Sequence, residues 1–441
     1  MKRLLSIVLA VVMVLGLSSC TVKLSTTNTP GGIPEITENT VQVPEVTTSG
    51  ELTLEDRMEQ KTTIELIRAD VSGDSYIAPA KDIETHLWGY IDLNGKWVIK
   101  PQYRTASEFT GDYACVSDVY GDYIFIDRSG EVLLDQVSGI AVASASHFSE
   151  GLASVKLGVD FVQQMTYIDE DGDSVFNLGK LPLAKGVSYK TSKYVELATP
   201  FRNGYALVMR TTNATLDSEG ISALECAYII DEDGDVYAAL PQGLDVSEYG
   251  FDENMRVVVR AENGLFGLAD AEGEVIVSPA YLHLLYCEDG LYLACAQNGF
   301  WGFIDKDGQA VIDFKYNDAM PFSEGRAAVS NGTAWGFINV DGDLVIPYIY
   351  DDVKALRTVD SGSEENNGAF CCGVAVVKAG RYWGVIDKTG GILFAAEAED
   401  CPITSISNGY ISFEYSGGCG VFTTEGRLVL VPEFENIGEY R

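Results

Sequence analysis

The sequence predicts an all-β protein: an array of about nine three-stranded β-meander repeats, arranged either as an open curved array or as a propeller-like ring. Three observations lead to this expectation. The segment Trp301-Gly302-Phe303-Ile304-Asp305, followed by Gly308 and Val311-Ile312, recurs along the chain. Its short apolar and β-branched runs flank turn residues, which is the pattern of a β-hairpin. The 45 Gly, 23 Tyr and 18 Phe among 441 residues suit many tight turns around an aromatic-rich core.

The copies can be followed by a glycine three positions after the strand-ending Asp or its substitute. They are Trp88 to Asp92 with Gly95, Phe125 to Asp127 with Gly130, Tyr167 to Asp169 with Gly172, Ile229 to Asp231 with Gly234, and Phe266 to Asp270 with Gly273. Trp301 to Asp305 with Gly308, Trp335 to Asn339 with Gly342, Trp383 to Asp387 with Gly390, and Gly420 to Thr423 with Gly426 complete the nine. The steps between these glycines are 35, 42, 62, 39, 35, 34, 48 and 36 residues, so the unit is near 35 and some copies carry insertions. A Pro-aromatic segment ends the second strand in Pro101-Gln102-Tyr103, Pro279-Ala280-Tyr281, Pro347-Tyr348 and Pro432-Glu433-Phe434. A third strand follows, introduced by Phe148-Ser149-Glu150-Gly151 or Phe322-Ser323-Glu324-Gly325.

With those residues in view, the chain resembles the WG-repeat family over about residues 85 to 434, most closely at 88–95, 301–308, 335–342 and 383–390. Leu268-Ala269 in place of Phe-Ile, and Thr423 in place of Asp, depart from the pattern. The resemblance implies a β-repeat fold with extracytoplasmic or interaction roles and no shared catalytic motif.

Within a unit the Trp is expected to pack between neighbouring copies, with a stacking platform for a ligand as the alternative. The Gly beside it admits another backbone or ring. The later Gly supplies positive φ to the hairpin loop, and the Asp bonds loop amides as an Asx turn.

Before the repeats, Lys2 and Arg3, the apolar run Leu4 to Leu17, and Leu17-Ser18-Ser19-Cys20 read as an export signal. The last four residues resemble a bacterial lipobox, which implies cleavage before Cys20 and diacylglyceryl attachment to its sulfur. The apolar run falls short of the ~20 residues a spanning helix needs. The expected organisation is a lipoprotein signal peptide over 1–19, a flexible Thr/Pro-rich tether over 20–55, a lead-in with a first partial strand over 56–84, and the β-repeat domain over 85–441. A short helix or an extended approach is open for 51–70, where Leu52, Leu54, Met58, Ile64 and Leu66 alternate with charges.

The net charge of −35 argues against nucleic acid and anionic membrane as electrostatic partners. Asp169 to Asp173 and Asp231 to Asp235 invite a calcium reading. Their Gly stands at the fourth position, however, and Lys180 or Gln242 occupies the twelfth, so they read as turns and no metal is expected. His86, His147 and His283 lie in no nucleophile or metal motif. Cys115 aligns with the Ala328 position and Cys295 with Val329, as small buried hydrophobes. No zinc spacing links the cysteines, and the adjacent Cys371 and Cys372 suggest redox chemistry only through a strained vicinal bridge.

Insertions are where repeat proteins place specificity. Lys180, Lys185, Tyr189, Lys190, Lys193 and Tyr194 form a basic, aromatic stretch in an acidic chain and are the candidate partner-binding residues. The expectation is a non-enzymatic, lipid-anchored binding or scaffold protein on the extracytoplasmic face of the cell membrane. It needs no cofactor and presents a β-repeat surface to a cell-envelope protein or glycan. An envelope hydrolase or redox protein with a site on the insertions, and a purely structural spacer, are the alternatives.

The phase of the repeat bears on closure. Ser75-Tyr76-Ile77-Ala78 reads as a third strand without a preceding hairpin, and the last copy is a hairpin without a third strand. Pairing between the two ends would close a ring. Pro79 argues against a central position for the leading strand.

Overall fold

The computed structural model describes residues 52–62, 71 and 75–441, apart from 135, 138–139, 147, 158–163, 177, 179–190, 213–214, 218–219, 223–224, 242, 248–249, 288–289, 356–367 and 416. The chain is all-β, in nine small antiparallel sheets, or blades, set in a ring. The sixth blade shows the plan. His283–Tyr286, Tyr292–Cys295, Trp301–Ile304 and Ala310–Tyr316 pair antiparallel in chain order. The seventh repeats it with Asp318–Ala319, Ala327–Ser330, Trp335–Ile338 and Leu344–Tyr350.

Each blade therefore has four strands, one more than the meander read from the sequence. The addition is the short first strand, and its origin is local. Only Asn317 separates Tyr316, the end of one blade, from Asp318, the start of the next. The sequence-level hairpin forms the third and fourth strands, and the strand after Phe-Ser-Glu-Gly becomes the second strand of the following blade. Blades two and three join through one pairing, Tyr123 with Val142, into a continuous sheet.

Second and third strands are buried on both faces because consecutive blades pack against each other. Leu293, Phe303, Ile312 and Tyr316 of the sixth blade form one cluster with Phe322, Ala327, Val329 and Ile338 of the seventh. Each buried Leu, Ile, Val or Phe among them stabilises the ring by about 1.5–3 kcal/mol relative to exposure. The fourth strand is an edge and is more exposed, alternating from Leu344 to the buried Ile346 and Tyr350.

The two ends of the chain meet in the first blade, whose order is Trp97–Tyr103, Trp88–Asp92, Ile77–Lys81 and, from the C-terminus, Asn436–Ile437. The Ile77 N–H donates to Arg441 O at 3.1 Å, and the Arg441 N–H returns to Ile77 O at 3.0 Å. The ring is closed, and the open array is set aside. The pairing residues are 435–441, just beyond the hairpin end at Phe434, because the C-terminal segment supplies a first strand and the N-terminal segment the other three. Pro79 does occupy a central strand. Its carbonyl accepts from the Gly438 N–H at 2.8 Å. Its ring would lie 2.7 Å from a Cβ at position 438, so glycine there is what admits proline.

A helix, Leu54–Glu59, precedes the ring. Thr53 caps it reciprocally: the Asp56 N–H donates to Thr53 Oγ1 at 3.1 Å, and the Thr53 N–H to Asp56 Oδ2 at 2.9 Å. The helix packs on the eighth blade, with Met58 fully buried among Tyr382, Ala395 and Phe370. Among the described residues no helix is long and apolar enough to cross a membrane.

Candidate functional site

The repeat's Trp-Gly pair is a structural device. In the seventh blade the fourth strand bulges so that Trp335 pairs with Tyr350 while Phe337 pairs with Ile346. The intervening backbone crosses directly over Gly336, where a Cβ would stand 2.7 Å from Ile346 O and 3.0 Å from Pro347 C. Gly89, Gly267, Gly302 and Gly420 are covered in the same way. Gly384 is the exception, since its fourth strand runs in register past it and the Met58 sulfur fills the space. Trp88, Trp301 and Trp335 are half-buried against inter-blade clusters, and Trp383 is buried. The Trp301 ring stacks on His283, which also stacks on Phe266 of the preceding blade.

The hairpin Asp acts as an Asx-turn former throughout. Asp305 Oδ1 accepts from the Asp307 and Gln309 N–H groups at 3.0 and 2.8 Å. Asp169 and Asp231, at the heads of the two acidic runs, accept from the residues two and four positions on. Among the described residues no three metal-ligating side chains converge.

A second periodic device lies at the turn between first and second strands, and it links neighbouring blades. Ser149 Oγ donates to Phe201 O of the next blade at 2.7 Å, and Ser323 Oγ to Phe370 O at 2.5 Å. The following Glu accepts from the next turn's amides. Glu150 takes the N–H groups of Asn203 and Gly204 at 2.6 and 2.9 Å, and Glu324 takes that of Gly373 at 2.9 Å. Glu150, Glu324, Asn203 and Asn408 all adopt positive φ before a glycine. In the eighth blade the same positions are Cys371 and Cys372. Cys371 Sγ donates to Ile406 O at 3.2 Å, and Cys372 stands at φ 54°, where the backbone amides of Gly409 and Asn408 favour its ionised form.

The two sulfurs lie 3.6 Å apart. The hydrogen bond from Cys371, together with the two backbone N–H groups, holds the Cys372 thiol well below the usual thiol range against the opposing effect of burial. The same bond and burial push Cys371 up. In the sequence the pair reads only as a strained vicinal bridge. The missed signal was that Phe370-Cys371-Cys372-Gly373 is a copy of Phe-Ser-Glu-Gly.

Of the partner-binding residues expected from the sequence, Lys180, Lys185, Tyr189 and Lys190 lie outside the described residues, as does Cys20. Lys193 and Tyr194 fall in the strand Thr191–Ala198, the first of the fourth blade, of which only the backbone is described at those positions. His147 is also outside. Cys115 faces Phe125 as Ala328 faces Phe337, as expected from the alignment, but it is half-buried where Ala328 is buried. Cys295 faces Trp301 as Ser330 faces Trp335, so it takes the Ser330 position, one residue beyond that of Val329.

Nine antiparallel four-stranded blades closed by strands from both ends define a nine-bladed β-propeller. The family model of the WG-containing repeat matches residues 88–118, 301–332 and 335–357. No curated protein matches the sequence. Among solved structures the chain is similar to BamB from Moraxella catarrhalis, at 10% identity over 82% of this chain and 91% of that one, with a TM-score of 0.34. It is also similar to the dipeptidyl peptidase 4 of Porphyromonas gingivalis, at 10% identity over 87% and 62%, with a TM-score of 0.41. The WD40 propeller domain of Doa1 matches at 13% identity over 57% and 84%, with a TM-score of 0.27.

Proposed function

We propose that this protein is a lipid-anchored scaffold on the extracytoplasmic face of the membrane, which presents its propeller to a protein of the cell envelope. The observation that carries the binding reading is the exposed rim of the fourth strands. Val98, Val175, Ile276, Val311, Val345 and Leu393 occupy one register, each following the residue paired with the end of the third strand. All six are exposed, Val311 at 48%. Edge strands are ordinarily blunted with charge. Here an aliphatic side chain stands at the same place in blade after blade, and such surface marks interaction sites.

A protein partner fits this surface better than a glycan, which calls for exposed aromatic platforms; the repeat tryptophans are half-buried or buried. The lipobox-like Leu17 to Cys20 supports anchoring, and the basic stretch with Lys180, Lys185, Tyr189, Lys190, Lys193 and Tyr194 offers a second contact. The test is crosslinking in intact cells with Val311→Asp/Val345→Asp, with lysines 180, 185, 190 and 193 changed to Glu, and with Cys20→Ser. Loss of one specific crosslinked protein in either surface variant, and release of Cys20→Ser from membranes, are expected. Crosslinks identical in all variants would overturn the binding reading, and unchanged fractionation of Cys20→Ser would overturn the anchor.

A further inference from the structure

The eighth blade breaks the turn ladder in a chemically specific way. Where the third and seventh blades place a serine hydroxyl and a carboxylate, it places two thiols, in the same hydrogen-bonding roles toward the next blade. The second position is built to hold negative charge, since Glu150 meets two backbone N–H groups there and Cys372 meets the corresponding pair from Asn408 and Gly409. A sulfur in that position is favoured as thiolate, because the N–H groups stabilise the anion. The charged groups around the pair are Glu324, held by Lys388 at 3.1 Å, and Glu439, paired with Arg441 at 3.0 Å. Both carboxylates oppose ionisation, and both are partly neutralised by their own partners. Cys371 is buried, with Ile406 O within hydrogen-bond reach at 3.2 Å and Cys372 Sγ at 3.6 Å, while Cys372 is half-buried and reachable.

We propose that Cys371 and Cys372 form a thiol–disulfide exchange site, with Cys372 as the attacking thiolate toward small disulfides and Cys371 as the resolving thiol. Cys372 Sγ attacks one sulfur of the small disulfide, forming a mixed disulfide and expelling one thiolate. That thiolate takes the Cys371 proton. Cys371 Sγ then attacks Cys372 Sγ and expels the second thiolate. The pair loses two electrons to the small disulfide and becomes a vicinal bridge.

Adjacent Cα atoms are about 3.8 Å apart, below the usual span of a disulfide, so the bridge strains the turn and is readily reduced.

The experiment treats the reduced full chain with glutathione disulfide at neutral pH and maps the cysteines by peptide mass spectrometry. Two variants use residues that other blades already carry at these positions: Cys371→Ser, as at Ser149, Ser323 and Ser407, and Cys372→Asn, as at Asn203 and Asn408. The wild type is expected to form the Cys371–Cys372 bridge at least about tenfold faster than the half-buried Cys115 or Cys401 is modified. Cys371→Ser should accumulate a stable glutathione adduct on Cys372, and Cys372→Asn should leave Cys371 unmodified. Faster modification of Cys115 or Cys401, no adduct in a folded Cys371→Ser variant, or direct modification of Cys371 in Cys372→Asn would each overturn the proposal.

Discussion

Gly336→Ala tests the reasoning about the Trp-Gly pair, because the added methyl meets backbone and no movable side chain. A Cβ at 336 lies 2.7 Å from Ile346 O and 3.0 Å from both Pro347 C and Tyr348 N. Forcing a methyl into a packed site costs about 1–3 kcal/mol. Replacing glycine also restricts the unfolded chain, which returns about 0.4–1 kcal/mol where the native backbone suits alanine. The net expectation is a loss of roughly 0.5–2 kcal/mol, or about 2- to 30-fold in a local opening equilibrium. Blades open locally, so a single melting temperature would dilute the effect. Amide hydrogen exchange of Trp335–Ile338 and Leu344–Tyr350 is the appropriate assay. Unchanged or slower exchange there would refute the claim that the crossing backbone is what requires glycine. Gly384→Ala provides the contrast, since its methyl meets the Met58 sulfur at 2.5 Å and Cε at 2.8 Å, with Phe394 O farther off at 3.5 Å. It should displace the helix and leave the eighth blade protected.

Met58→Ala removes the same contact from the other side. A buried Met→Ala change costs about 2–5 kcal/mol, and a helix of six residues has little stability of its own. Residues 52–62 should become protease-sensitive while the ring keeps its exchange protection; a helix that stays protected would show that Leu54, packed on the same cluster, and the ion pair of Arg381 with Glu55 at 3.8 Å suffice. At the ring closure, Glu435 is bonded to Lys81 at 2.6 Å and to His86, and these partners, Lys81 first, hold its carboxyl below the usual range. A depressed folded pKa means the stabilisation is present above the unfolded value and is lost as pH falls through the folded one, so the window lies below ~4.3. Exchange of residues 77–81 and 435–441 should accelerate through that acid window in the wild type and not in Glu435→Gln. Identical acid profiles would remove Glu435 from the closure.

Periodicity and turn chemistry determined the all-β class, the nine units and the Asx turns, because a hairpin is specified by residues close in sequence. Its Asp, its positive-φ glycine and its β-branched runs lie within about a dozen positions of one another. The glycine beside each Trp was legible as a point of close approach, but its neighbour was not. In most blades it is the returning fourth strand, and in the eighth, where residues 392–397 lack the Pro-aromatic segment, it is Met58 from more than 300 residues earlier. The short first strands were hidden because two or three residues between longer runs carry no period and become strands only by pairing with the second strand of their own blade. Closure was likewise undecided by the phase of the repeat, which suits a ring and an open array equally. Tertiary structure decided it through hydrogen bonds between residues 77–81 and 435–441. The thiol pair follows the same logic. Two cysteines in sequence are only two small side chains, and their chemistry comes from the amides of the next blade, which the fold alone brings to them.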